Sequence, residues 1–138
     1  MDWVKFEQEM WSLSERIDFD PDVIIGISRG GLVPALYLSK HLGVNELHGM
    51  SVTKEGKKRR VFTEITKSLK HKRVLLVEDM LETGESLIVA KKHLEEDKDA
   101  IVKTACLYTM RITKPSVPDY FIKQVKKVVD FPWEDWKK

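Results

Sequence analysis

Four apolar residues, Val74-Leu75-Leu76-Val77, run straight into two acids, Glu78-Asp79, and after two more apolar positions the chain reads Glu82-Thr83-Gly84-Glu85-Ser86. An apolar run this short, bounded by polar residues, fits a strand buried on both faces, and such strands belong to parallel sheets. A helix is expected from about Gly84 to Leu94. The succession of buried strand, acidic loop and helix puts the loop at the strand's C-terminal end, the edge where open α/β sheets bind ligands.

The rest of the chain repeats this alternation. Trp3, Phe6, Met10, Leu13 and Ile17 recur at three- and four-residue steps, one face of an amphipathic helix. Asp22–Ile27 is a β-branched strand that breaks at Ser28-Arg29-Gly30-Gly31. A helix from about Leu32 to Leu42 follows, with Pro34 in its first turn and Gly43 as its stop. Glu46–Val52, Val61–Ile65, Arg73–Val77 and Ala100–Tyr108 read as further strands, and Tyr120–Val129 as one or two short ones. Pro115 and Pro118 mark a loop, and Asp130–Trp136 an aromatic tail. Strands alternating with helices imply an α/β fold, an open, mostly parallel twisted sheet flanked by helices. At 138 residues and 42% hydrophobic, residues 1–138 are expected to make a single domain.

Adjacent carboxylates at a strand end accept hydrogen bonds from a vicinal diol, or hold a hydrated magnesium ion. Thr83, Gly84 and Ser86 offer hydroxyls and a close-approaching backbone at a helix start, a favourable place for a phosphate dianion. A diol site and a phosphate site about one turn apart match a ribose 5-phosphate. In the first loop, Gly30-Gly31 can form an anion-binding nest, with Arg29 as a charged donor.

The segment Val77–Ser86 resembles the signature of the type I phosphoribosyltransferases that binds 5-phosphoribosyl-1-diphosphate (PRPP). The resemblance covers about residues 20–134, and the Phe131-Pro132-Trp133-Glu134 ending is most similar to the small 6-oxopurine enzymes, which act on guanine, hypoxanthine or xanthine. It implies that Glu78 and Asp79 hold the ribose hydroxyls and, directly or through water, Mg2+. Leu81, Thr83, Gly84, Glu85 and Ser86 would cradle the 5-phosphate. Ser28, Arg29, Gly30 and Gly31 would form the diphosphate loop, with a non-proline cis peptide in it. Glu82 would be the general base, standing where relatives usually carry aspartate. Glu85 is an anion where relatives usually carry a neutral or basic residue. Val128 and Val129 stand where relatives stack an aromatic ring on the purine, and Arg111 or Lys114 where they place a lysine for the purine oxygen.

Residues 53–60 carry five basic side chains, Lys54, Lys57, Lys58, Arg59 and Arg60, around Gly56. They read as a solvated hairpin tip, as a mobile lid over the diphosphate, or as a small nucleic-acid patch. Charged residues make up 33% of the chain but nearly cancel, to +2, which argues against a protein that wraps nucleic acid. The single cysteine, Cys106, excludes an internal disulfide and suits a reducing cytoplasm. It reads as a buried small hydrophobe, or else as a nucleophile. His41, His48, His71 and His93 show no metal-ligand spacing and read as surface residues. No apolar run approaches the roughly 20 residues that span a bilayer, so no membrane partner is expected. The Trp3–Ile17 helix and the Trp-rich tail are compatible with a homodimer or with burial within one chain. Two functions remain open: transfer of the phosphoribosyl group of PRPP to a nucleobase, or non-catalytic sensing of PRPP or a nucleotide on the same fold.

Overall fold

The computed structural model describes residues 1–137, with side chains as far as Glu134, so that Trp136 of the expected tail lies outside the described side chains. A parallel sheet forms where expected, in the order β2 (Leu47–Met50), β1 (Val23–Ile27), β5 (Arg73–Val77), β7 (Ile101–Ala105). Side-chain alternation along the two central strands builds two cores. Val23, Ile25, Ile27, Val74 and Leu76 pack with Leu87, Ala90 and Leu94 of α3 (Glu85–Glu96). Ile24, Leu75 and Val77 pack with Phe6, Met10 and Leu13 of α1 (Trp3–Arg16) and with Ala35 and Leu38 of α2 (Leu32–His41). Helices thus cover both faces, which is why β1 and β5 read as unbroken apolar runs.

From β1 the chain winds through α2 to β2 on one side, then crosses to β5 and winds through α3 to β7 on the other. The direction reverses between β1 and β5, and a crevice at that switch point is the favoured ligand site of an open α/β sheet. The loop 28–31 leaves the end of β1 and the acidic pair leaves the end of β5, so both expected loops flank this crevice.

Several expected boundaries are corrected by pairing distant in sequence. The strand expected at Val61–Ile65 is β4 (Lys58–Val61), which pairs antiparallel with β3 (Val52–Glu55) around Gly56 at φ +63°. Phe62 and Thr63 instead bond to Ser51 at the hairpin's base. The strand expected to run unbroken to Tyr108 stops at Ala105. There Glu78 N–H donates to Ala105 O and Leu107 N–H to Asp79 O, turning the chain into β8 (Tyr108–Thr109). That strand lies between β6 (Met80–Leu81), inside the signature itself, and β9 (Lys123–Gln124).

On α1, Phe6, Met10 and Leu13 are fully buried, whereas Trp3 is 47% exposed and Ile17 caps the helix end. Glu9, outside that apolar series, is also buried and accepts from Tyr108 Oη at 3.0 Å. Phe131 stacks between Tyr108 and Trp133, and Trp133 meets Phe6 edge-on, so the tail buries these rings within the chain. Of the histidines, His71 is exposed, but His41 is half-buried and stacks 3.7 Å from the Trp11 ring. No helix among the described residues is long and apolar enough to cross a membrane.

Candidate functional site

Two carboxyls at the end of β5 anchor the site. Asp79 turns back to accept from Met80 N–H at 2.7 Å. Its carboxylate lies against Gly30 of the first loop, so close that a Cβ at that position would run into it. The first loop and the acidic pair, 47 or more residues apart in sequence, therefore form one surface. Burial pushes the Glu78 carboxyl up to about 8, and the Asp79 charge adds to the shift. Burial also pushes Asp79 up to about 6, against the opposing Met80 hydrogen bond and with the Glu134 charge adding. Two half-buried acids that resist ionising side by side are poised to bind a cation or hydroxyl donors that offset their charge.

One turn further on, Gly84 takes φ +84°, the left-handed conformation open to glycine, with Ser116 packed where a Cβ would project. Gly84 is thus the N-cap of α3, and just before it Thr83 Oγ1 accepts from Glu85 N–H at 3.2 Å. The first turn of α3 presents N–H groups without intrahelical partners, and its positive dipole end faces the same place. A cleft of about 270 Å3 results, lined by Arg59, Glu78 and the residues from Met80 to Leu87.

The hairpin reaches this cleft through Arg59. Its Nε donates to Glu85 Oε2 at 2.9 Å and its Nη1 to Ser86 Oγ at 3.3 Å. Glu85 is thus turned toward Arg59, which holds its carboxyl below the usual range. Lys54, Lys57, Lys58 and Arg60 are exposed, Arg60 pairing with Glu55 and lying 4.9 Å over the Phe62 ring. A larger groove of about 580 Å3 lies on the far side of Arg59, between the hairpin and α3, away from the acidic pair.

The first loop is stiffened from below, with Ser28 Oγ 2.9 Å from Ser51 Oγ, while Arg29 is exposed. The expected non-proline cis peptide lies between Ser28 and Arg29. At the other end of the cleft Glu82 is exposed, and its carbonyl accepts from Arg111 Nε at 3.3 Å. Val129 N–H lies 3.5 Å from Met80 Sδ, whereas Val128 is 59% exposed. Lys114 precedes a cis Pro115 in an exposed loop. Cys106 is fully buried, its Sγ 3.2 Å from Tyr108 O, and burial pushes the thiol up, so it is the buried small residue and not the nucleophile.

Sequence reasoning missed Ser51, Ser116 and Glu134, which bear on the site from elsewhere in the chain. Of these, only Glu134 carried a signal, as the acid of the Phe-Pro-Trp-Glu ending. Among the described residues no group of three or more metal-ligating side chains converges.

The phosphoribosyl transferase domain family matches residues 2–137. A purine phosphoribosyltransferase from Pyrococcus horikoshii Ot3 is 35% identical and superposes with a TM-score of 0.89, covering 99% of this chain and 93% of that one. The xanthine-guanine-hypoxanthine phosphoribosyltransferase of Helicobacter pylori shares the fold at 22% identity, with a TM-score of 0.80 over 97% of this chain and 92% of its own. An orotate phosphoribosyltransferase from Oceanobacillus iheyensis is 33% identical over 101 residues, 72% of this chain and 48% of that protein, so the chain spans about half the length of this curated relative.

Proposed function

This chain belongs to the phosphoribosyl transferase domain family, and from that premise we propose that it transfers the 5-phosphoribosyl group of PRPP to a nucleobase of the 6-oxopurine class. The observation that carries the reading is the contact of Gly30 with Asp79, which joins an anion-binding loop to an acidic pair one turn from a helix N-terminus. The purine acceptor is supported by the full-length likeness to the Pyrococcus horikoshii purine enzyme, against a partial one to an orotate enzyme.

Each residue then has a task. Glu78 and Asp79 accept from the ribose 2- and 3-hydroxyls, and Thr83, Gly84 and Ser86 donate to the 5-phosphate. Backbone and side-chain donors of 28–31 hold the diphosphate. Glu78 and Asp79 are also suited to Mg2+, because hard carboxylate oxygens serve an ion that keeps most of its ligands as water and phosphate oxygens. Bound with diphosphate, that ion would neutralise charge on the leaving group.

A nitrogen of the base attacks C1 of the ribose as the bond from C1 to the diphosphate oxygen breaks. Diphosphate departs with the bonding pair, and Glu82 takes the proton that the nitrogen loses. Positive charge builds on the ring in between, so holding both reactants in line does most of the work. Val128 and Val129 cover the base, and Arg111 meets its oxygen.

Incubation with PRPP, Mg2+ and a panel of guanine, hypoxanthine, xanthine, adenine and orotate tests this. One or more 6-oxopurines should yield the nucleoside 5-monophosphate and diphosphate, and Glu82→Gln should slow turnover by roughly 10²–10⁴-fold. PRPP binding without turnover on any base would contradict transfer and leave a sensing role. An unchanged Glu82→Gln rate would remove Glu82 as the base.

A further inference from the structure

The cleft contains a charge that works against its proposed use. Glu85 stands in the first turn of α3, beside the place where a phosphate dianion would lie. Glu78 and Glu82 line the same cleft, so a dianion entering it meets three carboxyl groups. The cation that lines this cleft with them is Arg59, supplied by β4, 26 residues from Glu85 in the chain.

The geometry of Arg59 suits phosphate better than a lid. In the hairpin register Arg59 lies opposite Lys54, so both side chains leave the face that looks onto the start of α3. Arg60 lies on the other face, over Phe62. The Arg59 side chain is 30% exposed, and its guanidinium is fixed at two points, Nε on Glu85 and Nη1 on Ser86 Oγ. A guanidinium has five N–H donors in one plane, and these two bonds leave three to offer. The Ser86 hydroxyl is itself one of the groups assigned to the 5-phosphate. A donor bonded to that hydroxyl is within reach of whatever the hydroxyl binds.

Resting on the phosphoribosyl-transfer reading, we propose that Arg59 is a 5-phosphate-binding residue, aimed by Glu85, and not part of a lid over the diphosphate. Glu85 then has a use as well. Its carboxylate holds the guanidinium edge-on to the cleft, so that a phosphate meets a preset donor whose charge already cancels that of Glu85. Removing Arg59 both withdraws donors and uncovers Glu85.

Calorimetric titration of the whole protein with ribose 5-phosphate, and separately with inorganic diphosphate plus Mg2+, tests the assignment. Arg59→Ala should weaken ribose 5-phosphate by roughly ten- to a hundredfold and leave diphosphate within about twofold. Arg59→Lys should recover part of the loss. The double variant R59A/E85Q should also recover part, because it deletes the uncovered carboxylate, an outcome that loss of hairpin packing would not give. In turnover, KM for PRPP should rise while kcat stays within about threefold.

Equal ribose 5-phosphate affinity in Arg59→Ala and the parent would overturn the proposal, and so would a loss confined to diphosphate, which would make Arg59 a lid residue after all. If the parent protein binds neither ribose 5-phosphate nor any nucleoside monophosphate, the phosphoribosyl-transfer reading fails first, and this inference falls with it.

Discussion

Glu78 is held where its charged form is disfavoured, by burial first and by the neighbouring Asp79 second. The consequence for stability follows from proton linkage. Because the folded state raises the Glu78 carboxyl from 4.5 to about 8, it binds more protons than the unfolded chain between those values, so stability falls as pH rises through that window. A shift of this kind amounts to something on the order of a few kcal/mol. Thermal melts of the unliganded protein should therefore show the midpoint falling from pH 5 to pH 8, and Glu78→Gln should remove most of that fall. A parent midpoint that is flat or rising over this range would show that the acidic pair is not strained by burial. The identities of these residues were legible because they sit within one ten-residue segment, Val77–Ser86. The setting of Glu85 was not. Its partner Arg59 arrives through a hairpin register, and nothing local to Glu85 announces it.

At the scale of elements, the sequence disclosed the strands that are buried on both faces and misjudged those that are not. β1 and β5 were found within a residue of their bounds, because unbroken apolar runs have few other uses. The alternation Val61-Phe62-Thr63-Glu64-Ile65 has a strand's period, yet the pairing that decides the matter involves Val52–Glu55 and ends at Val61. In the same way Thr104–Tyr108 is buried without a break, and only long-range bonds to Glu78 and Asp79 show where β7 must stop. The docking of the first loop on the acidic pair is also invisible in the sequence, and it can be tested. Gly30→Ala should fold with an unchanged circular dichroism spectrum, but its new methyl group should displace the Asp79 carboxylate and weaken ribonucleotide binding by roughly ten- to a hundredfold. Binding equal to the parent's would mean that this contact does not position Asp79.

For the whole molecule, the decisive feature is the reversal of winding between β1 and β5, which places a glycine-rich loop and an acidic loop on the two sides of one crevice. Alternating strands and helices predicted the sheet and the edge at which the two candidate loops lie, and the family match over residues 2–137 agrees with that fold. What pattern could not supply is the second tier of the site: the hairpin over the start of α3, the strand β6 within the signature, and the aromatic stack that fixes the tail. Each depends on residues brought together from far apart in the chain. The most direct measurement on the account as a whole is calorimetric titration of the folded protein with PRPP and Mg2+. A saturable heat of association that disappears when Asp79 is changed to Asn is the predicted result. No heat with PRPP and Mg2+, nor with any purine ribonucleotide, would contradict the claim that this crevice holds a phosphorylated ribose.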